Sequence, residues 1–336
     1  MATYLVTGGA GFIGSNIVLE LLRRGEHVRI LDNFSTGKRS TVQELERFAE
    51  SLEKEGESRQ RKRKGVLEVV EGDIRSYHIV RDAVEGVDFI LHQAALPSVP
   101  RSVRDPLTSN EVNVVGTLNI LNAAKDVGVK RIVYASSSSI YGDLETLPKT
   151  EDMLPKPLSP YAVSKLAGEK YCQVFTRLYG LETVALRYFN VFGPRQDPTS
   201  QYSAVIPKFV ALIARDEPPV IYGDGEQSRD FTFVANVVDA NLKACGKGLE
   251  ELSGEVFNIA YGKRVTINEL VRKINKILGK NVQPKYADPR PGDVKHSLAN
   301  IGKARQFLGY EPKIDFEEGL RRTIQFMLEQ PEPVLV

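Results

Sequence analysis

Cysteine is scarce in this chain: only Cys172 and Cys245 occur among 336 residues, and their spacing matches no metal site. A disulfide framework or a cysteine-built zinc centre is therefore not expected. Long apolar runs are missing as well, and none approaches the roughly 20 residues that span a bilayer. Charge of one sign is also in short supply. Lys and Arg total 45 against 43 Asp and Glu, a net of +2, too little for a nucleic-acid or membrane footprint. The one dense basic run, Arg59 to Lys64, follows the acidic stretch Glu50 to Glu57 and reads as a solvated face. The N-terminus enters a strand pattern at once without a leader, and no internal repeat is visible. These absences predict a soluble, cytoplasmic protein with no nucleic-acid, membrane or metal partner.

What is present points to an α/β chain. A hydrophobic fraction of 42% over this length suits one α/β domain with a smaller one attached. A short apolar run, Tyr4 to Thr7, feeds into Gly8, Gly11 and Gly14, and an amphipathic segment with Ile17, Val18, Leu21 and Leu22 follows. In that strand–turn–helix order, Gly8 permits the tight turn, Gly11 lets a pyrophosphate approach the backbone, and Gly14 lets helix and strand pack closely. Phe12 and Ile13 then stand at a helix N-terminus, whose free N–H groups and dipole favour an anion. The second strand, Val28 to Asp32, ends in a carboxylate 18 residues beyond Gly14. An acid there accepts from adenosine ribose hydroxyls and disfavours a 2′-phosphate, which selects NAD over NADP. Asn33, Ser35, Thr36 and Gly37 beside it are assigned to the same cofactor.

Residues 40–64 read as a charged helix with a solvated tail. A third strand, Leu67 to Val70, ends at Asp73 and Ile74, where an adenine would lie. A fourth, Phe89 to His92, runs into Gln93, Ala94 and Ala95, small enough for a dinucleotide to cross the carboxyl edge of the sheet. His92 itself reads as a buried structural histidine. A long helix is expected over 110–127, carrying Asn113, and a fifth strand over 131–135. Strands alternating with helices predict a doubly wound parallel sheet of the Rossmann type.

The fifth strand ends in Ser136, Ser137, Ser138 and Ser139, and Tyr161 and Lys165 open a later amphipathic helix. Four apart, those two side chains share one helix face. A free tyrosine with a pKa of about 10 is a poor base at neutral pH. A lysine ammonium on the same face, together with an oxidised nicotinamide, would stabilise the phenolate. The pair suits proton removal from a hydroxyl while hydride leaves the same carbon.

With the G-x-x-G-x-x-G spacing, the segments HQAALPSVPRS (92–102), KPLSPYAVSK (156–165), LRYFNVFGPRQDP (186–198) and RPGDVKHSL (290–298) make the chain resemble extended short-chain dehydrogenase/reductases. Within them it is similar to nucleotide-sugar 4-epimerases, in particular those acting on UDP-N-acetylglucosamine and UDP-N-acetylgalactosamine or their uronic acid forms. The resemblance implies Tyr161 as base, and Lys165 as its partner and nicotinamide-ribose ligand. It also implies Ser137, with Ser136 and Ser138 as other claimants, as the serine that bonds the reacting sugar oxygen. Tyr188 and Phe189 are implied at the nicotinamide end. Asn190, Val205, Lys208, Tyr222, Arg229, Arg290 and Asp293 are implied in holding uridine, ribose and pyrophosphate, where arginine forks suit phosphate oxygens and a carboxylate suits a diol. Ser98 and the small Ser297 are implied at the sugar's C2 substituent, although Pro97 stands where close relatives carry glycine.

The resemblance further implies bound NAD, a UDP-hexose substrate and a homodimer formed through the helices near 110–127 and 160–179. Residues 1–189 are expected to form the NAD domain and 190–336 mainly a UDP-sugar domain, with the later chain re-entering the main sheet more than once. The expected reaction is NAD-dependent inversion at C4 of a UDP-hexose through a 4-keto sugar, with an N-acetylated substrate ahead of the plain and uronate sugars. A 4,6-dehydratase or uronate decarboxylase is the enzymatic rival, but Ser138, Ser139 and Ile140 stand where dehydratases carry acids. A non-catalytic NAD-binding scaffold is the rival from another class, and retention of both Tyr161 and Lys165 weighs against it.

Overall fold

The computed structural model describes residues 1–58, 65–198, 205–246, 248, 250–289 and 294–329. Its centre is a parallel sheet of seven strands: β1 (Thr3–Thr7), β2 (His27–Asp32), β3 (Leu67–Glu71), β4 (Phe89–His92), β5 (Arg131–Ser137), β6 (Glu182–Tyr188) and, from late in the chain, β11 (Glu255–Ile259). Their order is β11-β6-β5-β4-β1-β2-β3, and every pairing is parallel. The winding reverses between β1 and β4, which opens a crevice at their carboxyl ends.

Apolar residues occupy both faces of each strand, as a sheet covered on both sides requires. Val6, Ile30, Leu91, Val133 and Val184 face α1 (Phe12–Arg23), α2 (Arg39–Ser58), α9 (Val234–Ala244) and α11 (Gly302–Leu308). Their strand neighbours Leu5, Leu31, Ile90, Ile132 and Ala185 face α3 (Tyr77–Ala83), α6 (Gly116–Val127) and α7 (Pro160–Tyr179). Helix α7 has firm ends: Pro160 starts it, the Ser159 hydroxyl accepts the Ala162 N–H at 3.1 Å, and Gly180 closes it in the left-handed conformation at φ 70°.

A third core belongs to the carboxyl-terminal part. Helices α8 (Val205–Ala214), α10 (Ile267–Leu278) and α12 (Phe316–Glu329) bury Ile206, Phe209, Leu270, Ile274 and Leu320 against Phe192, Phe231 and Phe233. Helix α10 starts with a reciprocal Thr266–Glu269 capping box. Short pairs of strands stitch this part together: β7 (Val191–Phe192) with β10 (Thr232–Phe233), β8 (Val220–Tyr222) with β13 (Lys285–Ala287), and β9 (Ser228–Arg229) with β12 (Val265–Thr266).

Three expectations need correction or trimming. Among the described residues the chain re-enters the main sheet as a strand once, at β11, and otherwise returns as α9 and α11 on its face. The helix expected over 110–127 is broken into α5 (Pro106–Asn110), a π turn over Glu111–Val115, and α6. The interruption surrounds Asn113, whose side chain bonds the Leu96 backbone instead of lying on a regular helix surface. The charged helix α2 is described to Ser58, and the basic run 59–64 lies outside the described residues.

Candidate active site

The glycine turn is built as its residue types require. Gly8 has φ 70°, and a Cβ there would stand 2.8 Å from the Ala94 nitrogen. A Cβ on Gly14 would come within 2.1 Å of the Gly8 carbonyl, so helix and turn could not pack. No side chain caps the start of α1 at Gly11 and no acid sits in its first turn, so its N–H groups face the crevice without a competing anion. Asp32 is buried at the end of β2; its Oδ2 accepts the Ala10 N–H at 2.9 Å and its Oδ1 the Phe34 N–H at 2.8 Å. Burial pushes this carboxyl above its usual range, and the two N–H groups oppose that. Glycine cradle, uncapped helix start and acid together fit a dinucleotide.

A cleft of about 240 Å³ runs over this turn, and nearly all the residues assigned to the cofactor line it: Gly8, Gly11, Phe12, Ile13, Gly14, Asp32, Asn33, Ser35, Thr36, Asp73, Ile74, Gln93, Ala94, Ala95, Tyr161, Lys165 and Tyr188. Two stand back. Gly37 packs under the turn, where a Cβ would meet Ala10 at 2.8 Å. Asn113 is buried and braces the wall, accepting the Leu96 N–H at 2.8 Å and donating to the Leu96 carbonyl at 3.2 Å and to Ser164 at 3.1 Å. The Asp73 carboxylate is held at a pKa of about 2, chiefly by Arg75 and also by Asn33, so it ties the loop as well as facing the cleft.

At the cleft's inner end Tyr161 is half-buried on the first turn of α7. Burial pushes its phenol up, and a hydrogen bond with Ser137 pulls it back. Lys165, one turn on, donates to the Ala135 carbonyl at 2.9 Å and lies 5.1 Å over the Tyr134 ring. Burial lowers it to about 8. A positively charged nicotinamide in the cleft would lower the Tyr161 pKa further.

The serine strand sorts itself by direction. Ser136 lines the cleft but is buried with its hydroxyl donating to the Glu169 carboxylate, whereas Ser137 is half-buried beside the Tyr161 phenol. The Ser139 N–H and hydroxyl both donate to the Ser137 oxygen, at 3.2 and 2.9 Å, which leaves the Ser137 hydrogen for another acceptor. Ser138, also half-buried, sits in the 3-10 turn that follows. His92 is the buried structural group expected: its ring nitrogens meet Thr7 at 2.7 Å and Thr117 at 3.0 Å, and burial, then the Lys165 charge, hold it at about 3.

Beyond Tyr188 a second pocket of about 320 Å³ collects Asn190, Val205, Lys208, Tyr222 and Arg229 with Gln227 and Phe231. The Asn190 amide donates to the Asp230 carbonyl at 3.2 Å and reaches the Ser297 hydroxyl at 3.5 Å. Arg229 is braced on the Ser228 and Lys295 carbonyls. Ser98 holds φ 105° and its hydroxyl accepts the Arg101 N–H to start α4 (Val99–Arg104), so it frames the wall by Pro97. Arg290 and Asp293 lie outside the described residues.

Sequence reasoning missed three contributors. Asn241 on α9 and Gln93 hold the Tyr188 phenol between them. The Ser102 hydroxyl accepts the Tyr161 N–H at 3.0 Å. Glu169 pairs with Arg187 behind the serine strand. Glu169 alone carried a signal, lying one turn past Lys165 on the same helix face.

Among the described residues no helix is long and apolar enough to cross a membrane, and no three His, Cys, Asp or Glu gather as a metal site. Both cysteines are buried thiols.

Comparison with known proteins agrees with this geometry. Residues 4–260 match the NAD dependent epimerase/dehydratase family. A UDP-glucose 4-epimerase of Mycolicibacterium smegmatis is 36% identical over 324 residues, covering 96% of this chain and 97% of its own. Among solved structures, a UDP-N-acetylglucosamine 4-epimerase of Methanobrevibacter ruminantium in complex with UDP-N-acetylmuramic acid is 40% identical, with TM-score 0.88 over 98% of this chain and 99% of that one. A Thermus thermophilus UDP-glucose 4-epimerase in complex with NAD is 36% identical, with TM-score 0.82 over 97% and 99%. The chain therefore belongs to the NAD dependent epimerase/dehydratase family and is an epimerase that works with NAD.

Proposed function

We propose that this epimerase inverts C4 of UDP-hexoses and that N-acetylated UDP-sugars are its preferred substrates. The observation that carries the reading is the pair Tyr161 and Lys165 lining the dinucleotide cleft, with Ser137 beside the Tyr161 phenol and a second pocket that holds Asn190 and Arg229. The Tyr161 phenolate takes the 4-hydroxyl proton, and the Ser137 hydrogen is directed to the same sugar oxygen. Bound NAD supplies the acceptor, and afterwards the donor, of the C4 hydride. Lys165, fixed by the Ala135 carbonyl, orients the nicotinamide ribose and keeps a positive charge beside the developing phenolate. Asn190, Lys208, Tyr222 and Arg229 hold the UDP moiety, with Arg290 and Asp293 assigned to the same task. Once the keto sugar has turned about its pyrophosphate and C4 has regained hydride on its other face, Tyr161 returns the proton to the C4 oxygen.

The N-acetyl preference rests on the small Ser297 beside Asn190 and on Ser98 in the opposite wall. Serine, serine and isoleucine after Ser137 supply no acid for a C6 leaving group, which argues against dehydration. Residues 1–189 are assigned to NAD and 190–336 mainly to the UDP-sugar. A homodimer is proposed through the faces of α5–α7, where Leu107, Val115, Val163, Val174 and Leu178 are exposed apolar side chains. The test is an epimerisation assay with N-acetylated, plain and uronate UDP-sugars side by side. Inversion of the N-acetylated sugars at least as fast as the plain ones supports the reading, and activity on plain sugars alone refutes the preference.

A further inference from the structure

We propose that Asp230 is the positioning residue of the sugar-nucleotide pocket: its buried carboxylate fixes Arg229, Asn190 and Ser297 relative to one another and so sets the affinity for the UDP-sugar. The inference rests on the UDP-sugar reading above and gives Asp230 no part in proton or hydride transfer.

Asp230 has no exposed surface and lies between β9 and β10, directly after Arg229. Its Oδ1 accepts the N–H groups of Tyr261 and Gly262, both at 3.1 Å, and its Oδ2 accepts those of Gly262 and Ala299, both at 3.1 Å. One carboxylate thus joins three stretches far apart in sequence: the β9–β10 link, the loop after β11, and the segment that follows Ser297.

Each stretch touches the pocket. The Asp230 carbonyl accepts the Asn190 amide at 3.2 Å, and the Thr232 N–H donates to the Asn190 carbonyl at 3.2 Å. The Ser297 N–H donates to the Ser228 carbonyl at 3.0 Å, two residues before the Asp230-bound Ala299. Loss of the knot frees the substrate wall on both sides of Arg229, and a binding wall that is no longer preorganised must be ordered at the expense of affinity.

The fold gains little from the charge itself. Among the described residues no lysine, arginine or histidine pairs with Asp230, and burial pushes its pKa up to about 7 against the pull of the backbone N–H groups. The folded chain therefore holds a proton that the unfolded chain releases between about pH 4 and 7, and stability falls as pH rises through that window.

The test uses NAD-loaded protein, with UDP-N-acetylglucosamine titrated by calorimetry. Asp230→Asn keeps the shape but turns an amide NH2 toward the backbone donors. At pH 8, where NAD stays bound and the chain folded, its affinity should fall about tenfold or more, beyond the lowering of Tm that the unmatched buried donors cause. A carboxylate that only supports the fold would lower Tm and leave affinity intact, and that result overturns the proposal.

The parent provides a second measurement that needs no variant. Its affinity should rise, by up to about tenfold, between pH 6 and 8 as Asp230 ionises. Three other titratable groups bear on this readout, and the first, Lys165, lowered by burial to about 8, loses charge toward the top of the window and opposes the rise. The Tyr310 phenol, which faces Asp230, is pushed well above that range by burial. His296, bonded to Ser228, is pushed down by partial burial and by Arg264, Lys295 and Arg229. The cationic Lys263 sits on the bonded loop itself. A flat parent profile overturns the proposal, including where Asp230→Asn does not fold. Failure of the parent to bind any UDP-sugar would instead defeat the functional reading on which the proposal rests.

Discussion

Replacing Glu169 by glutamine should cost the fold several times what one hydrogen bond contributes. The side chains of Glu169 and Arg187 are 1% and 4% exposed. Arg187 donates from Nε to Glu169 Oε1 and from Nη2 to Oε2, both at 2.9 Å, and from Nη1 to the Tyr141 phenol at 2.8 Å. The Ser136 hydroxyl adds a bond to Oε1. Glutamine keeps one acceptor and turns a donor toward the guanidinium, leaving a buried cation without its counter-charge. Breaking one side of such a pair costs about 3–5 kcal/mol, against about 1 kcal/mol for a neutral bond. The damage should reach the site, because Ser136 precedes Ser137, Arg187 precedes Tyr188, and Glu169 follows Lys165 by one helical turn. The chain has no tryptophan, so urea unfolding of NAD-loaded protein is best followed by circular dichroism. Glu169→Gln and Arg187→Met should each lose about 3–5 kcal/mol, and the double variant Glu169→Met with Arg187→Met should lose less than either. Single losses near 1 kcal/mol that add in the double variant would refute the reasoning.

Three further outcomes follow from the site. Tyr161→Phe removes the proton acceptor while leaving the α7 capping bonds in place, so NAD should be retained and turnover should drop by about 10²–10⁴; near-parental turnover would remove Tyr161 as the base. Nucleotide extracted from denatured protein should be NAD by mass, because a 2′-phosphate would meet the Asp32 carboxylate, and a predominance of NADP would refute that role. Ser297→Tyr overfills the space beside Asn190, so activity on N-acetylated sugars should vanish while much of the activity on UDP-galactose survives; equal loss on both substrates would show that Ser297 does not select the sugar.

Much of the nucleotide half could be read from the sequence because its signals are local. The run Tyr4 to Gly14, the acid closing β2, and the Tyr161–Lys165 spacing each declare themselves within one or two elements, and the structure gathers them at one crevice. The rest depends on contacts between distant segments. Strands of two or three residues, such as Ser228–Arg229 or Val265–Thr266, are too short to show a period of two. Asp230 and Asn241 look like ordinary polar residues until folding brings Gly262, Ala299, Gln93 and Tyr188 to them. The π turn at Asn113 likewise follows from a bond to Leu96, which helical periodicity cannot announce. The surroundings of Tyr161 were legible only in part: the spacing placed the lysine one turn on, but not the bond from its ammonium to the Ala135 carbonyl.

The central claim is that C4 is inverted by removing and returning its own hydrogen inside the site. The most direct measurement is the reaction of UDP-N-acetylglucosamine with purified protein in deuterium oxide, without added nucleotide, read by NMR and mass. The account predicts the C4 epimer with protium retained at every sugar carbon. Deuterium at C4 or C5 of the product, or no inversion at C4 of any UDP-hexose, would contradict it.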